Sequence, residues 1–317
     1  MDSIGGEAVA GWHNVRVRHP KPLATTLVGR AFSTAQASEA GTTRSRTRSK
    51  DLISPYRGVR MPANDDPSIP QLCGAHATQM QPEQFFSHVT AAMIHGLPLP
   101  WQLQNDKRIH VGVVGDIGPI RMRGVIAHRL EKATVESVDG LRVLSPTETW
   151  RYLSTAVGFT NLVSIGDALV RRMQPLATMR ELGDAVRAHR GHRGARLLRQ
   201  AFASVRPGVD SPMETRIRLI ILEAGLPEPV VNARILNRYG AFIALGDMVY
   251  PDYRVLVEYD GEHHFGSVEQ SHHDIDRLDE VMEEKWRVIR LNSSHLRRKA
   301  TVIHKVRTAL EQAGWRH

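Results

Sequence analysis

The sequence predicts an α+β protein made of three successive regions, and three observations support this. The C-terminal third alternates helical and extended patterns in the order αβββαβα. The charge balance changes sign near position 209: residues 1–209 carry 27 Lys and Arg against 16 Asp and Glu, and the remainder carries 15 against 17. The stretch between the N-terminal segment and this boundary mixes short helical and extended patterns. We therefore expect a small N-terminal unit, a mixed α/β middle region and a C-terminal domain.

Composition limits the possible function classes. The chain has 317 residues, 41% of them hydrophobic, which is enough to build buried cores. Its single cysteine, Cys73, excludes an intrachain disulfide and any site that needs several cysteines of this chain. No apolar stretch is long enough to predict a membrane helix or a signal peptide, so we expect a cytoplasmic protein without a membrane partner. The net charge of +9 favours a polyanion such as nucleic acid as partner.

The N-terminal segment divides into a tail and a small unit. Residues 1–28 show no consistent period, and we expect a flexible tail there. Residues 29–62 begin with a short helical pattern, which Ser33 or Thr34 can cap and which ends at Gly41. The unit therefore starts with one short helix.

A basic segment follows this helix. Thr42 or Thr43 can cap a second helix, and the β-prone stretch "YRGVRM" after it can form a hairpin. Helix, turn, basic helix and hairpin is the order of a winged helix-turn-helix, which binds DNA. A solvated basic face explains the charge equally well. The side chains predicted to contact DNA are those of Arg44, Arg46, Arg48 and Lys50.

The middle region, residues 63–206, mixes helices and strands. "FSHVTAAMIHGLPLP" is helical until its glycine, whereas "RIHVGVV" and "GVIAHRL" alternate as strands. Ser145 and Glu148 have the spacing of a capping box, with Pro146 at the first helical position. Residues 187–206 contain six arginines and no acidic residue. This segment is either a surface that faces phosphates or a flexible linker.

The C-terminal domain, residues 207–317, has the most regular pattern. Ser211 and Glu214 form a second capping-box pattern at the start of an amphipathic helix that ends at Gly225. Three extended segments joined by tight turns predict an antiparallel meander. A polar helix then leads to a fourth strand, "WRVIRLN", and a final helix.

The stretch "VLVEYDGEHH" concentrates charge at the end of an apolar strand. Because side chains alternate along a strand, Glu258 and Asp260 share one face. The turn at Pro251 and Asp252 folds the preceding strand back and can bring Asp247 opposite them. Converging carboxylates raise one another's pKa, and a divalent cation relieves that cost. Ligands that are all oxygen favour Mg²⁺ or Mn²⁺, ions that promote phosphodiester hydrolysis.

Simpler interpretations exist for each of these residues. A single carboxylate at a strand end can be solvated, and His263 and His264 can be ordinary loop residues. Glu214 occupies a capping position, which needs no catalytic explanation. Gly261, however, permits a sharp turn that would leave both histidines beside the carboxylates.

The pattern "GDMVYPDYRVLVEYDGEHH", followed by a helix and "WRVIRLN", resembles the domain related to very-short-patch-repair (Vsr-like) endonucleases in the PD-(D/E)xK superfamily. The resemblance covers residues 205–312. It implies a restriction-endonuclease-like nuclease core and a metal-dependent DNA endonuclease. The implied metal ligands are Asp247, Glu258 and Asp260, and Glu214 is implied to orient water or metal. RNA is not excluded as substrate.

The chain departs from the superfamily pattern at one position, and its N-terminal part resembles a different family. Many superfamily members have lysine two positions after the second acid, where this chain has Asp260. The resemblance therefore implies that His263 or His264 assists proton transfer or holds phosphate. The stretch "FSTAQASEAGTTRSRTRSKDLISPYRGVRM", with the later "FSHVTAAMIHGLPLP", resembles AbiEi-type antitoxin regulators, in which a winged helix binds DNA. A non-catalytic regulator of transcription with a degenerate nuclease-like domain is therefore the alternative to an endonuclease.

Overall fold

The structure is a computed structural model that describes residues 20–115, 121–261 and 277–316. It is an α+β protein, as predicted, with three β-sheets in the described part of the chain. Contacts between residues divide it into two compact units, Met1–Met80 and Gln81–His317. The candidate site lies in the second unit.

The first unit is built on a three-stranded sheet. The strands, in the order β1-β3-β2, are β1 (Phe32–Ser33), β2 (Leu52–Ile53) and β3 (Val59–Pro62), and the helices are α1 (Thr34–Glu39) and α2 (Ile69–Ala77). Helix α1 begins where the sequence predicts, because Ser33 and Gln36 form a complete capping box. The predicted hairpin is also present, with Leu52 opposite Pro62.

The prediction of a second helix in this unit is wrong. Thr43 accepts the N–H of Arg46 as a cap does, but only a single 3₁₀ turn, Arg46–Arg48, forms, because the chain is extended from Ser49 onward. The Arg46 guanidinium is buried, donating to both carboxylate oxygens of Asp51 at 3.0 and 2.7 Å and to the carbonyl of Lys21. Arg46 is therefore not presented to solvent, unlike Arg44, Arg48 and Lys50, which are exposed.

Part of the predicted flexible tail is packed. Leu27 is only 3% exposed, and it lies in one apolar cluster with Phe32 and Ala37. Burial of this leucine against α1 and β1 holds a short 3₁₀ turn, Thr25–Leu27, in place. Residues 1–19 lie outside the described ranges.

The second unit begins with a five-stranded sheet and a helical layer. The strands, in the order β6-β5-β4-β8-β7, are β4 (Phe85–Phe86), β5 (Ile109–Val114), β6 (Val125–Leu130), β7 (Val135–Val138) and β8 (Leu141–Leu144). The helices are α3 (His88–Ile94), α4 (Trp101–Gln104), α5 (Pro146–Leu153), α6 (Phe159–Leu169), α7 (Met179–Ala188) and α8 (Ala195–Ser204). Trp150, Leu162 and Leu198 are buried in the helical core.

Helix α5 starts at the predicted position, but the predicted capping box does not form. Ser145 makes no side-chain cap hydrogen bond. The Glu148 carboxylate instead accepts the N–H of Thr134 at 2.8 Å and pairs with Arg151 at 3.1 Å. A main-chain donor before β7 and an arginine one turn further on α5 therefore compete successfully for this glutamate.

The C-terminal elements follow the predicted order. They are α9 (Pro212–Glu223), β9 (Val230–Leu236), β10 (Phe242–Tyr250), β11 (Val255–Tyr259), α10 (helical within 277–283), β12 (Arg287–Leu291), α11 (Ser293–Leu296) and α12 (Lys299–Gln312). Strands β9, β10 and β11 form the predicted antiparallel meander. Strand β12 pairs with β11 in parallel, giving the order β12-β11-β10-β9.

Two apolar layers cover this four-stranded sheet. Ile217 and Ile221 of α9 and Val306 of α12 lie in one cluster with Met248 and Val257. A separate cluster on other strand positions joins residues of β10 and β11 to α10, and its members include Val249, Leu256 and Val281. The alternation along β11 separates the two clusters, since Leu256 and Val257 belong to different ones.

No helix among the described residues is both long enough and apolar enough to cross a membrane.

Candidate active site

Glu214 is a buried carboxylate in the first turn of α9, with 6% of its surface exposed. Its own N–H donates to the hydroxyl of Ser211 at 3.2 Å, which is one half of the predicted capping box. The carboxylate does not complete the box. Its Oε2 accepts the N–H of Asp210 at 3.1 Å and the side-chain amide of Asn232 at 3.3 Å.

Asp247 is half-buried in β10, where the regular pairing with β11 ends. The last paired residues are Met248 and Val257. Beyond them, Oδ2 of Asp247 accepts the N–H of Tyr259 at 2.9 Å, so a side chain takes the place of a main-chain carbonyl. This bond places Asp247 beside the main chain between Glu258 and Asp260, as the tight turn predicted.

Glu214 and Asp247 influence each other electrostatically. Burial, followed by the negative charge of Asp247, raises the pKa of Glu214 to about 7. Neither lysine nor arginine is among the main groups that shift this pKa within the described residues. The buried Glu214 and the half-buried Asp247 therefore favour either a proton or a cation at this position.

Glu258 and Asp260 have different partners. Oε1 of Glu258 lies 3.3 Å from Nη2 of Arg277 in α10, and Oδ2 of Asp260 lies 2.7 Å from Nη2 of Arg290 in β12. Each of these two carboxylates thus has an arginine as counter-ion, so their negative charge is partly balanced.

The described residues include the predicted metal ligands but not the two histidines predicted to assist proton transfer. Among the described residues, no set of three or more His, Cys, Asp or Glu side chains is arranged to hold a metal ion. His263 and His264 lie outside the described residues, and their predicted roles stay predictions. The structure couples Glu214 to Asp247 electrostatically, while Glu258 lies on β11 and Asp260 directly follows it.

Asn232 belongs to the site, although no pattern in the sequence predicted it. The β9–β10 register pairs Ala233 with Gly246 and Val231 with Met248, so Asn232 and Asp247 occupy facing positions. Asn232 has a left-handed φ of 46°, which asparagine tolerates better than most residues. Its amide also donates to the carbonyl of Gly208 at 2.6 Å, which fixes the side chain that holds Glu214.

Helix α9 is anchored to the helical layer by buried charge. Nη2 of Arg218 lies 2.9 Å from Oδ2 of Asp167, and both side chains are at most 1% exposed. Asp167 also accepts the Thr215 hydroxyl at 2.8 Å and the N–H of Arg206 at 2.7 Å. Arg218 and Arg206 both pair with Glu228, at 3.2 and 2.9 Å. These contacts join the helical layer to the helix that carries Glu214.

Comparisons with known proteins add two relatives. The uncharacterized proteins MT2308 and Rv2248, from two strains of Mycobacterium tuberculosis, are each 27% identical to this chain over 213 residues. The aligned part covers 66% of this chain and 74% of each relative. No protein-family model and no solved structure matches the chain.

Proposed function

We propose that the C-terminal domain is a Vsr-like nuclease core and that the protein is a metal-dependent DNA endonuclease. The observation that carries this proposal is the buried Glu214 carboxylate, whose pKa is raised by burial and by the charge of Asp247. Both positions are those that the resemblance to the PD-(D/E)xK superfamily assigns to the site. Burying neighbouring carboxylates costs stability, which is typical of functional sites rather than of structural ones.

The residues of this pair fit a divalent cation. Their donor atoms are all oxygen, which matches Mg²⁺ or Mn²⁺, and no arginine balances Glu214 within the described residues. Asp247 and Glu214 would hold the ion, and Glu258 and Asp260 would need to exchange Arg277 and Arg290 to join them. When bound, such an ion polarises a phosphate and lowers the pKa of a water ligand.

The other contacts of the pair position it for hydrolysis. The Asn232 amide and the N–H of Asp210 fix the Glu214 carboxylate, and the N–H of Tyr259 fixes Asp247. Near neutral pH a divalent cation would compete with the proton that Glu214, with its pKa of about 7, takes up in the absence of metal. The acceptor of the water proton is proposed to be His263 or His264, since Asp260 replaces the usual lysine.

The N-terminal region is proposed to bind DNA. The exposed basic side chains of its 3₁₀ segment, Arg44, Arg48 and Lys50, support this role, whereas Arg46 is engaged with Asp51. Contacts of this kind go to phosphates and hold DNA without reading its sequence.

A second candidate function is a non-catalytic regulator of the antitoxin type. The ion pairs of Glu258 with Arg277 and of Asp260 with Arg290 favour it, because they neutralise two site carboxylates without a metal. In that case the C-terminal domain would serve as a structural or partner-binding element.

Cleavage assays distinguish the two functions. The purified full chain would be incubated with Mg²⁺ or Mn²⁺ and with supercoiled plasmid, linear duplex, single-stranded DNA and matched RNA. The endonuclease account expects metal-dependent cutting of DNA that Asp247→Asn abolishes while its thermal unfolding stays cooperative. Absence of cutting of every DNA form by the unaltered protein contradicts the account, and cutting of RNA alone reassigns the substrate.

A further inference from the structure

Four exposed arginines are concentrated where α7 ends and α8 begins. They are Arg190, Arg193, Arg196 and Arg199. No acidic residue occurs in the sequence between Arg187 and Arg206. Arg187 pairs with Asp184, but none of the four forms an ion pair with another described residue. We name these four residues the arginine surface.

The segment that carries the arginine surface is a fixed helical hairpin. Helix α7 ends at Ala188 and α8 begins at Ala195, so the interpretation as a flexible linker is wrong. Gly194 has a φ of 88°, and a Cβ there would lie 2.4 Å from the hydroxyl of Ser154. Only glycine fits this contact between the turn and α5.

Further contacts keep the turn in one conformation. His189 is 4% exposed, and its Nε2–H donates to the carbonyl of Arg193 at 2.9 Å. Leu198 and Ala201 are fully buried and hold α8 in the helical core. The arginine surface is therefore displayed from a rigid support, and a partner would not need to order the backbone first.

Unbalanced charge on a rigid hairpin indicates an anionic partner. Some other exposed arginines of this unit have acidic partners: Arg172 pairs with Asp210, and Arg238 pairs with Glu284. Four cations within ten residues repel one another unless an anion or counter-ions approach them. All four are arginines, whose planar guanidinium groups bind phosphate with two parallel hydrogen bonds.

We propose that the arginine surface binds the phosphate backbone of duplex DNA. The proposal rests on the proposed function only in its choice of DNA as the polyanion, and it does not need an intact carboxylate site. It gives the C-terminal domain a way to hold its substrate, since the residues after position 209 carry a slight excess of acidic groups. Binding is expected to be independent of sequence and to weaken steeply as salt rises.

The test measures binding of the full chain to a fluorescent duplex of about 20 base pairs, in EDTA so that cleavage does not interfere. One variant combines Arg190→Gln, Arg193→Gln, Arg196→Gln and Arg199→Gln. The matched control removes the same charge at exposed positions of the same unit outside residues 187–206, through Arg121→Gln, Arg123→Gln, Arg142→Gln and Arg180→Gln. Circular dichroism and thermal unfolding establish that both variants are folded.

The first variant is expected to bind at least roughly tenfold more weakly, whereas the control stays within about threefold. Because each phosphate contact contributes about 0.9 to the slope of log K against log salt, the slope should fall by about three to four. Equal losses in both variants, or an unchanged slope in the first one, overturn the proposal, as does tighter binding of a matched RNA duplex.

Failure of the endonuclease proposal would look different. Asp247→Asn is expected to bind the duplex in EDTA as tightly as the unaltered protein. If the unaltered protein cuts no DNA, but the first variant binds the duplex with a smaller salt dependence, the endonuclease proposal fails while the proposal for the arginine surface stands.

Discussion

Asp167 of α6 and Arg218 of α9 form a fully buried ion pair, with 2.9 Å between Oδ2 and Nη2. The two residues are 51 positions apart in the chain. Arg218 lies one helical turn after Glu214, so this pair fixes the helix that presents the candidate site. The helical layer is thus part of the support of the carboxylate pair.

Breaking this ion pair should strongly destabilise the second unit. Arg218→Met leaves the Asp167 carboxylate buried without its cation, which costs roughly 3–5 kcal/mol of unfolding free energy. The double variant Asp167→Leu and Arg218→Met removes both charges and should recover a large part of that loss. Urea unfolding of the single and double variants measures both effects.

The exposed pair of Arg172 and Asp210 provides the comparison. These side chains are 45% and 32% exposed, so Arg172→Ala should cost less than about 1 kcal/mol. An Arg218→Met variant that is no less stable than Arg172→Ala would refute the anchoring role of the buried pair.

Glu214 should make stability fall as pH rises in metal-free buffer. Its folded pKa of about 7 lies above its ordinary value of 4.5, so the folded protein binds this proton more tightly than the unfolded chain. The stability it contributes is fully present below about pH 4.5 and is lost by about pH 7. Glu214→Gln should therefore be more stable than the unaltered protein at pH 8, by about 1–3 kcal/mol.

Chemical unfolding across this pH range in EDTA measures the effect. Glu223→Gln is the matched control, since Glu223 lies on the same helix with its side chain 70% exposed. Glu214→Gln and the unaltered protein should converge near pH 4.5. A difference between them that stays constant over the whole range would contradict the raised pKa.

A group of histidines in the middle region should make stability fall as pH decreases, which is opposite to the effect of Glu214. The rings of His88 and His128 stack with their centroids 3.6 Å apart, and Nδ1 of His110 lies 2.8 Å from Nε2 of His128. Burial first, and then the neighbouring His128, lower the pKa of His110 to about 4, while Asp106 opposes the shift. Burial likewise lowers the pKa of His88 to about 2.

These histidines should make the second unit sensitive to acid. Because their folded pKa values lie below the ordinary 6.5, their contribution to stability is present above pH 6.5 and is lost as pH falls toward about 4. Glutamine cannot take up this proton. Between pH 6.5 and pH 4 the His110→Gln variant should therefore lose roughly 1–3 kcal/mol less unfolding free energy than the unaltered protein. Thermal unfolding at several pH values checks this, and an identical acid dependence in both proteins would refute it.

Local patterns in the sequence predicted much of the C-terminal domain. The apolar positions of α9, its start after Ser211 and the meander of β9 to β11 follow from spacing of neighbouring residues. The turn at Pro251 also placed Asp247 near the end of β11. These features depend on residues that are close in the chain.

Contacts between distant residues could not be predicted in the same way. Sequence spacing does not indicate that Arg277 pairs with Glu258 or that Asn232 holds Glu214. The same limit explains the errors at capping positions. Glu148 and Glu214 have capping-box spacing, but their carboxylates accept from donors farther away in the chain, the N–H of Thr134 and the amide of Asn232.

Calorimetric titration of the full chain with Mn²⁺ shows whether Glu214 and Asp247 form a metal site. We expect one saturable site in the unaltered protein and in Glu223→Gln, weaker binding in Glu214→Gln, and none in Asp247→Asn. Absence of saturable binding to the unaltered protein, or equal affinity in the Asp247→Asn variant, would rule this metal site out.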